Sequence, residues 1–267
     1  SSFEPLSDLP APRGRAQVVV LSDGRVLAAG GCTTIACSSV LADAVVYDPT
    51  TDTWQTTGPM SSPRAGHYGA LLPDGRVLIG GGCREQTCAT VLRSAEIFTP
   101  DSMSFAAIGP QLQQRVGAVA LTVPDGRVMI SQGCSNRTVC DLTNELYDSE
   151  AGTFVPLDPA VTSRGFHALL IHQPTAEVLA NGGCQPATCS WWNETFLLSD
   201  MPAPVEMPDG GFPDAGYDAG VDAGPGVGVG GPCDCSVPVA APSRGAGRTF
   251  GLLSAAVLLT IRRRRRR

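Results

Sequence analysis

Short apolar runs separated by turn residues recur along the first 200 residues and predict β-strands. In the first unit, the runs Val18–Leu21 and Val26–Ala29 flank the turn Asp23-Gly24-Arg25. Asp-Gly between β-branched runs favours a tight hairpin, because both residues tolerate the positive φ of such turns. The runs are too short for ordinary helices, so the pattern predicts an all-β fold. The corresponding turns of the later units are Asp74-Gly75-Arg76, Asp125-Gly126-Arg127 and Pro174-Thr175-Ala176.

Two further strands are predicted in each of the first three units. A third apolar run ends in an aromatic residue, and a second aromatic residue follows seven positions later, after a turn. The aromatic pairs are Tyr47/Trp54, Phe98/Phe105 and Tyr147/Phe154. Four short strands in a unit of about 50 residues are typical of a propeller blade.

Paired cysteines mark the same place in every unit. The first cysteines of successive pairs lie 51, 51 and 50 residues apart, and each pair encloses four or five residues. A disulfide within each pair is the favoured interpretation, because so short a loop brings two Cα atoms within about 7 Å. Such disulfides require an oxidising compartment and therefore export. The pairs are Cys32/Cys37, Cys83/Cys88, Cys134/Cys140 and Cys184/Cys189.

Zinc binding and redox catalysis are the alternatives for these cysteines. Structural zinc needs two converging pairs, whereas each pair here belongs to its own unit. Redox sites usually use C-x-x-C, a spacing that the chain lacks. His67 and His167 each follow an arginine by three residues, and we expect them to be structural positions of the repeat rather than metal ligands or acid–base groups. We therefore predict no enzyme activity, catalytic residue, metal site or cofactor.

The repeated residues resemble the kelch motif. A kelch blade has a double glycine after its second strand, an aromatic residue on the third and a tryptophan on the fourth, as in Gly30-Gly31, Tyr47 and Trp54. The resemblance covers residues 1–199 and implies a β-propeller of four-stranded blades, in the superfamily that includes galactose oxidase. The copper site of that enzyme requires a tyrosine crosslinked to a cysteine, and nothing in this chain predicts such a site.

The ends of the array are expected to be incomplete. The fourth unit reaches a third strand at Thr195-Phe196 and shows no fourth strand before the composition changes. Phe3 lies 51 residues before Trp54, in the register of a fourth strand. Either this segment completes the last blade, or it ends a blade further upstream. Kelch propellers usually have six or seven blades, so about four blades predict a fragment of a larger propeller, with the start of the chain removed.

Trp191 and Trp192 follow the last blade cysteine and have no counterparts in the other units. Exposed tryptophans commonly contact sugars or proteins, so both are candidate ligand contacts. The alternative is that they cover the incomplete last blade.

Charge is divided unevenly along the chain. The net charge is −6, but residues 1–200 carry −8 and residues 241–267 carry +8. An acidic body argues against nucleic-acid binding, which requires a basic face. Residues 200–232 are rich in Pro, Gly, Asp and Ala, a composition that cannot bury a core, and we predict a disordered stalk.

The last part of the chain, 233–267, resembles the myxobacterial C-terminal sorting signal (MYXO-CTERM). Cys233 and Cys235 are followed by an apolar stretch, 249–261, and then by six arginines. Thirteen residues of helix are about 20 Å long, which is short for a lasting membrane span. The resemblance implies a short hydrophobic helix in the membrane, processing by a sorting protease near one of the cysteines, and attachment at the cell surface or outer membrane, with the helix removed on maturation.

Together, these features predict an exported, surface-attached propeller that binds a protein or a glycan. A carbohydrate-active enzyme of the galactose-oxidase-like type and a passive surface-layer protein are the alternatives.

Overall fold

The computed structural model describes residues 5–34, 37–136, 139–160, 162–172, 177–185, 188–189 and 193–197. The predictions for Phe3, Trp191, Trp192, Cys233 and Cys235, and for residues 200–232 and 233–267, concern residues outside this part of the chain. Within it, every regular element is a β-strand. A search of the same residues finds no helix with the length and apolar character needed to cross a membrane.

Three four-stranded antiparallel sheets follow one another along the chain, each with its strands in sequence order. The first sheet comprises β1 (Gln17–Val20), β2 (Val26–Ala29), β3 (Ala44–Asp48) and β4 (Thr53–Thr56). The second comprises β5 (Tyr68–Leu71), β6 (Val77–Gly80), β7 (Ala95–Thr99) and β8 (Ser104–Ile108). The third comprises β9 (Val119–Thr122), β10 (Val128–Ser131), β11 (Asn144–Asp148) and β12 (Thr153–Leu157).

The fourth sheet has three strands among the described residues. They are β13 (Ala168–His172), β14 (Glu177–Asn181) and β17 (Asn193–Leu197). A small hairpin of β15 (Cys184–Gln185) and β16 (Thr188–Cys189) lies between β14 and β17 in the chain. The predicted third strand around Thr195-Phe196 is therefore present in this blade.

The Asp-Gly-Arg turns join the first and second strands as predicted, but through a longer loop. Leu21 N donates to Arg25 O at 2.8 Å, and Gly24 N donates to Leu21 O at 3.0 Å. Gly24 alone among the turn residues has a positive φ, +91°. This is the pattern of a three-residue hairpin loop with glycine at the left-handed position. Asp23 instead holds Arg25, accepting from its backbone N at 2.9 Å and its Nε at 2.7 Å.

The aromatic pairs predicted from their seven-residue spacing face each other across the third and fourth strands. Tyr47 is directly opposite Trp54, and the ring centroids lie 5.0 Å apart. The Phe98/Phe105 and Tyr147/Phe154 pairs repeat this contact at 4.9 and 4.8 Å. Tilted aromatic pairs at such distances stabilise the outer hairpin of a blade beyond their area burial.

The hydrophobic core lies between the blades rather than within them. Leu27 and Val46 of the first blade pack with Val77, Ile79 and Phe98 of the second. The other two interfaces are built in the same way. Successive side chains of a strand point to opposite faces of the sheet, so a middle strand contacts both neighbouring blades. This explains why β6 and β10 are buried at every position.

The first strands form the inner edge of the array. β1 packs on β5, β5 on β9, and β9 on β13. Among the described strands, no packing of similar extent joins β13 back to β1. Accordingly, Val18 in β1 is 58% exposed and Leu170 in β13 is 59% exposed. The residue of the first blade that is equivalent to Leu170 is Val19, and it is buried. The described blades therefore leave an apolar face open at each end.

Candidate functional site

The strand order gives each blade two distinct ends. The turns after the first and third strands lie at one end, which we call the hairpin end. The loops after the second strands and the connectors between blades lie at the other, which we call the disulfide end. The antiparallel order of the sheets requires this division.

Three of the four predicted disulfides are present at the disulfide end. Cys32–Cys37, Cys83–Cys88 and Cys134–Cys140 are bonded within their own blades, with Cα–Cα distances of 4.9, 4.9 and 3.7 Å. Cys184 is also disulfide-bonded, and its backbone lies directly opposite Cys189 in the β15–β16 hairpin. The side chain of Cys189 lies outside the described residues.

Backbone hydrogen bonds hold every braced loop on the connector that enters its own blade. Cys32 and Gly14 exchange two bonds of 2.8 Å, N to O in each direction. The same bridge joins Cys83 to Ala65, Cys134 to Val116 and Cys184 to Gly165. The loops are therefore fixed at both ends, by a covalent bond and by this bridge.

The tips of these loops differ although their frame is constant. Thr34 is exposed in the first blade, Arg84 and Gln86 in the second, and Asn136 and Val139 in the third. The tips thus carry hydroxyl, cationic, amide and apolar groups at equivalent places. A rigid scaffold with variable exposed loops is typical of proteins that bind ligands through those loops.

An arginine repeat that the sequence reasoning missed fixes the connectors. Arg13, Arg64, Arg115 and Arg164 recur at intervals of 51, 51 and 49 residues. The Arg64 guanidinium donates to Gly81 O at 2.9 Å, Ser94 O at 3.0 Å and Glu96 Oε1 at 2.6 Å. The regular spacing is visible in the sequence, where Arg64 and Arg164 are the arginines that precede the two histidines.

The buried carboxylates complete this structural role. Arg64 and Arg115 have no exposed side-chain surface, and their partners Glu96 and Glu145 are almost as deeply buried. Glu145 also accepts hydrogen bonds from the backbone N atoms of Leu112 and Gln113 in the connector. Each Arg–Glu pair thereby holds a connector against its blade, which is a structural function.

The two repeat histidines are buried in the interfaces between blades. Burial, together with the nearby charge of Arg64, lowers the pKa of His67 to about 3. Burial and Arg164 likewise lower the pKa of His167 to about 4. Both rings are therefore neutral at physiological pH. Among the described residues, no group of three or more His, Cys, Asp and Glu side chains could hold a metal ion.

A ladder of backbone hydrogen bonds crosses the blades at the inner edge of the disulfide end. Gly66 N donates to Arg15 O at 2.9 Å, Gly117 N to Gly66 O at 2.8 Å, and Phe166 N to Gly117 O at 2.6 Å. We call Arg15, Gly66, Gly117 and Phe166 the inner ladder; each lies two residues before the first strand of its blade. All four have positive φ, between +56° and +67°.

Two members of the inner ladder are not glycine, and their conformation is costly. Arg15 and Phe166 both have φ of +56°. A left-handed conformation of a residue with a Cβ costs about 1–2 kcal/mol, and is unusual for a bulky side chain. Gly66 and Gly117 show that the position accepts glycine. Phe166 is nevertheless retained there with 40% of its surface exposed.

The hairpin end contains a cavity of about 830 Å³ between the second and third blades. Its acidic side chains include Asp125, whose carboxylate accepts from Arg127 N and Nε at 3.0 and 2.8 Å. Partial burial acts to raise the pKa of the Asp125 carboxyl, but these hydrogen bonds hold that pKa below its usual value. Asp74 is paired with Arg76 in the same way. These two carboxylates are therefore parts of turns, as is Asp148 of the same lining, which accepts from the backbone N of Glu150 and Ala151.

Comparison with known proteins agrees with this geometry. Residues 13–61, which span the first connector and blade, match the sequence model of the Kelch motif. The solved structure of YjhT is similar with a TM-score of 0.58 and 16% identity, over 67% of this chain and 61% of that one. The chain therefore spans about three fifths of the length of YjhT. No curated protein matches the chain in sequence. The fold is that of a kelch-type β-propeller.

Proposed function

We propose that this protein is an exported binding module that contacts a protein or glycan through the disulfide end of its blades. The observation that carries the proposal is the constant, covalently braced frame of the Cys loops, combined with exposed tips that differ from blade to blade. A loop that is already fixed before binding loses less conformational entropy when the complex forms. The braced loops are therefore pre-organised to present their tips.

Export is supported by the same disulfides. Cysteine pairs persist as disulfides in oxidising compartments and are rare in the cytosol. Surface attachment rests on the resemblance of residues 233–267 to the sorting signal. The proposal then includes membrane retention through this segment, cleavage by a sorting protease and modification of Cys233 or Cys235. Mass spectrometry of the mature protein from its cells checks this; an intact C-terminal arginine run would contradict it.

An array experiment tests the binding function. The labelled full chain is applied to a glycan array and to a displayed peptide library. We expect at least one ligand whose binding weakens tenfold or more when the second-blade tip is changed by Arg84→Ser with Gln86→Ser.

A matched control lies at the opposite end of the blades. Asp101 and Glu150 are exposed in turns of the hairpin end. The double change Asp101→Ser with Glu150→Ser is expected to leave binding within twofold. The proposal would be contradicted if the hairpin-end variant lost binding and the tip variant kept it. The absence of any ligand on both arrays would contradict it as well.

A further inference from the structure

Phe166 is the only exposed aromatic side chain among those that the structure describes. The other described aromatic residues are buried or half-buried, most of them in the cross-strand pairs. Phe166 instead lies at the disulfide end, next to the inner edge of the blades. Its position therefore differs in kind from that of the structural aromatics.

The ring of Phe166 lies on a floor made by two glycines. A Cβ atom added to Gly117 would come within 2.7–2.8 Å of three of its ring atoms. A Cβ atom on Gly66 would lie 3.7 Å from the ring. One face of the ring is thus pressed against the backbone of the neighbouring blades. The chain holds the aromatic plane in one orientation while leaving much of it accessible.

The braced loop of the third blade lies beside the connector that carries Phe166. Gly165, the residue before Phe166, is so close to the Cys134–Cys140 disulfide that an added Cβ would be 2.8 Å from Cys134 Sγ. In the connector of the same blade, Gln114 Nε2 donates to Ser135 O at 3.0 Å, and the Asn136 amide at the loop tip is exposed. Next to Gly165, the third-blade loop thus offers an exposed amide, while Val139, also exposed at this tip, is apolar.

We propose that Phe166 is an aromatic platform on which one sugar ring of a carbohydrate ligand stacks. A pyranose has one face of C–H groups, which packs on an aromatic plane, and a rim of hydroxyls, which bond to surrounding polar groups. The ring of Phe166 offers such a plane, because one face packs on Gly117 and Gly66 while 40% of the residue stays exposed. Phe166 occupies a strained conformation at a position where two other blades carry glycine, which supports a role for the side chain itself. This inference rests on the proposed binding function and names its ligand class.

The inner ladder supplies the test variants. Phe166→Gly introduces the residue that the second and third blades carry at this position. Phe166→Asn removes the aromatic ring but tolerates the left-handed conformation. Phe166→Tyr keeps an aromatic plane. Arg15→Gly is the matched control, because it relieves the same positive φ in the first blade.

The probe is a glycan array of neutral hexose and N-acetylhexosamine oligosaccharides, followed by titration of the best-bound oligosaccharide against the full chain. We expect the affinity to fall tenfold or more in Phe166→Gly and Phe166→Asn, and to stay within threefold in Phe166→Tyr and Arg15→Gly. The melting temperature of Phe166→Gly is expected to stay within about 3 °C of that of the parent, because the lost ring packing is offset by relief of the backbone.

Two results would overturn the platform. Oligosaccharide binding that is unchanged in both Phe166→Gly and Phe166→Asn would contradict it and leave the binding function intact. Binding to displayed peptides but to no oligosaccharide would do the same. The absence of any ligand on either array would instead contradict the binding function on which the platform rests.

Discussion

At the residue scale, the buried Arg–Glu pairs determine how the connectors are held. Arg115 donates to Gln132 O and Thr143 O of its blade and pairs with Glu145, while the carbonyl of Arg115 accepts from Gly82 N of the preceding blade. One residue therefore links two blades through its backbone and fixes its own blade through its side chain. Such a position should be intolerant of change.

Arg115→Met is expected to destabilise the protein by about 3–5 kcal/mol, because it leaves the buried Glu145 carboxylate without its cation. The matched control is Arg76→Met. The Arg76–Asp74 pair is well exposed, so its loss is expected to cost less than about 0.5 kcal/mol. Urea unfolding of the three proteins measures both values, and equal losses would contradict the structural role of Arg115.

The buried histidines predict a loss of stability at mildly acidic pH. The pKa of His67 is about 3 in the folded protein and about 6.5 in the unfolded chain, so the unfolded chain takes up the proton first as pH falls. The contribution of His67 to the stability of the fold is complete above pH 6.5. It declines at lower pH, by about 1–2 kcal/mol between pH 7 and pH 5.

His67→Ala introduces the residue that the first and third blades carry at this position, Ala16 and Ala118. The variant is expected to lose less stability than the parent between pH 7 and pH 5, by that same 1–2 kcal/mol. Chemical denaturation at the two pH values gives the difference. An identical pH dependence in both proteins would show that His67 takes up its proton as readily in the folded protein as in the unfolded chain.

At the element scale, the double glycine is the point where one blade meets the connector of the next. Gly81 has φ of +68°, and a Cβ there would lie 2.4 Å from Arg115 O. We expect Gly81→Ala to cost about 2–4 kcal/mol, because both the conformation and the contact oppose a side chain. Gly109→Ala is the control, since a Cβ there meets no atom within 4 Å. Thermal unfolding compares them, and a mild effect at Gly81 would contradict the close packing.

The elements that the sequence predicted correctly are those with local signals. The strands follow from alternation and turn residues, the aromatic pairs from a spacing that an antiparallel hairpin requires, and the disulfides from short loops. The contacts of the arginine repeat were not predicted, because the acceptors of Arg64 lie 17 to 32 residues away along the chain. Phe166 was missed because positive φ at a residue other than glycine leaves no local signature.

At the scale of the whole molecule, the two open apolar faces are complementary. The face of the first blade that carries Val18 and Val20 corresponds to the side through which each later blade contacts its predecessor. The face of the fourth blade that carries Leu170 corresponds to the side that contacts a successor. Both are exposed in the described array, which is unusual for a soluble surface.

We expect a recombinant protein of these 267 residues to self-associate through these faces, head to tail, in a concentration-dependent manner. The combined changes Val18→Ser, Val20→Ser and Leu170→Ser should abolish the association, which sedimentation velocity measures. Leu170→Ser alone is expected to cost less than about 0.5 kcal/mol of stability, whereas Val19→Ser at the equivalent buried position should cost about 2–3 kcal/mol. Association that persists in the triple variant would place the contact elsewhere.

Export, the rigidity of the loops and their use as a binding surface all follow from disulfides that close within single blades. Peptide mapping of the non-reduced protein by mass spectrometry tests this directly. The result we predict is four linked peptides, Cys32–Cys37, Cys83–Cys88, Cys134–Cys140 and Cys184–Cys189. Free thiols in the exported protein, or linkages between cysteines of different blades, would contradict it.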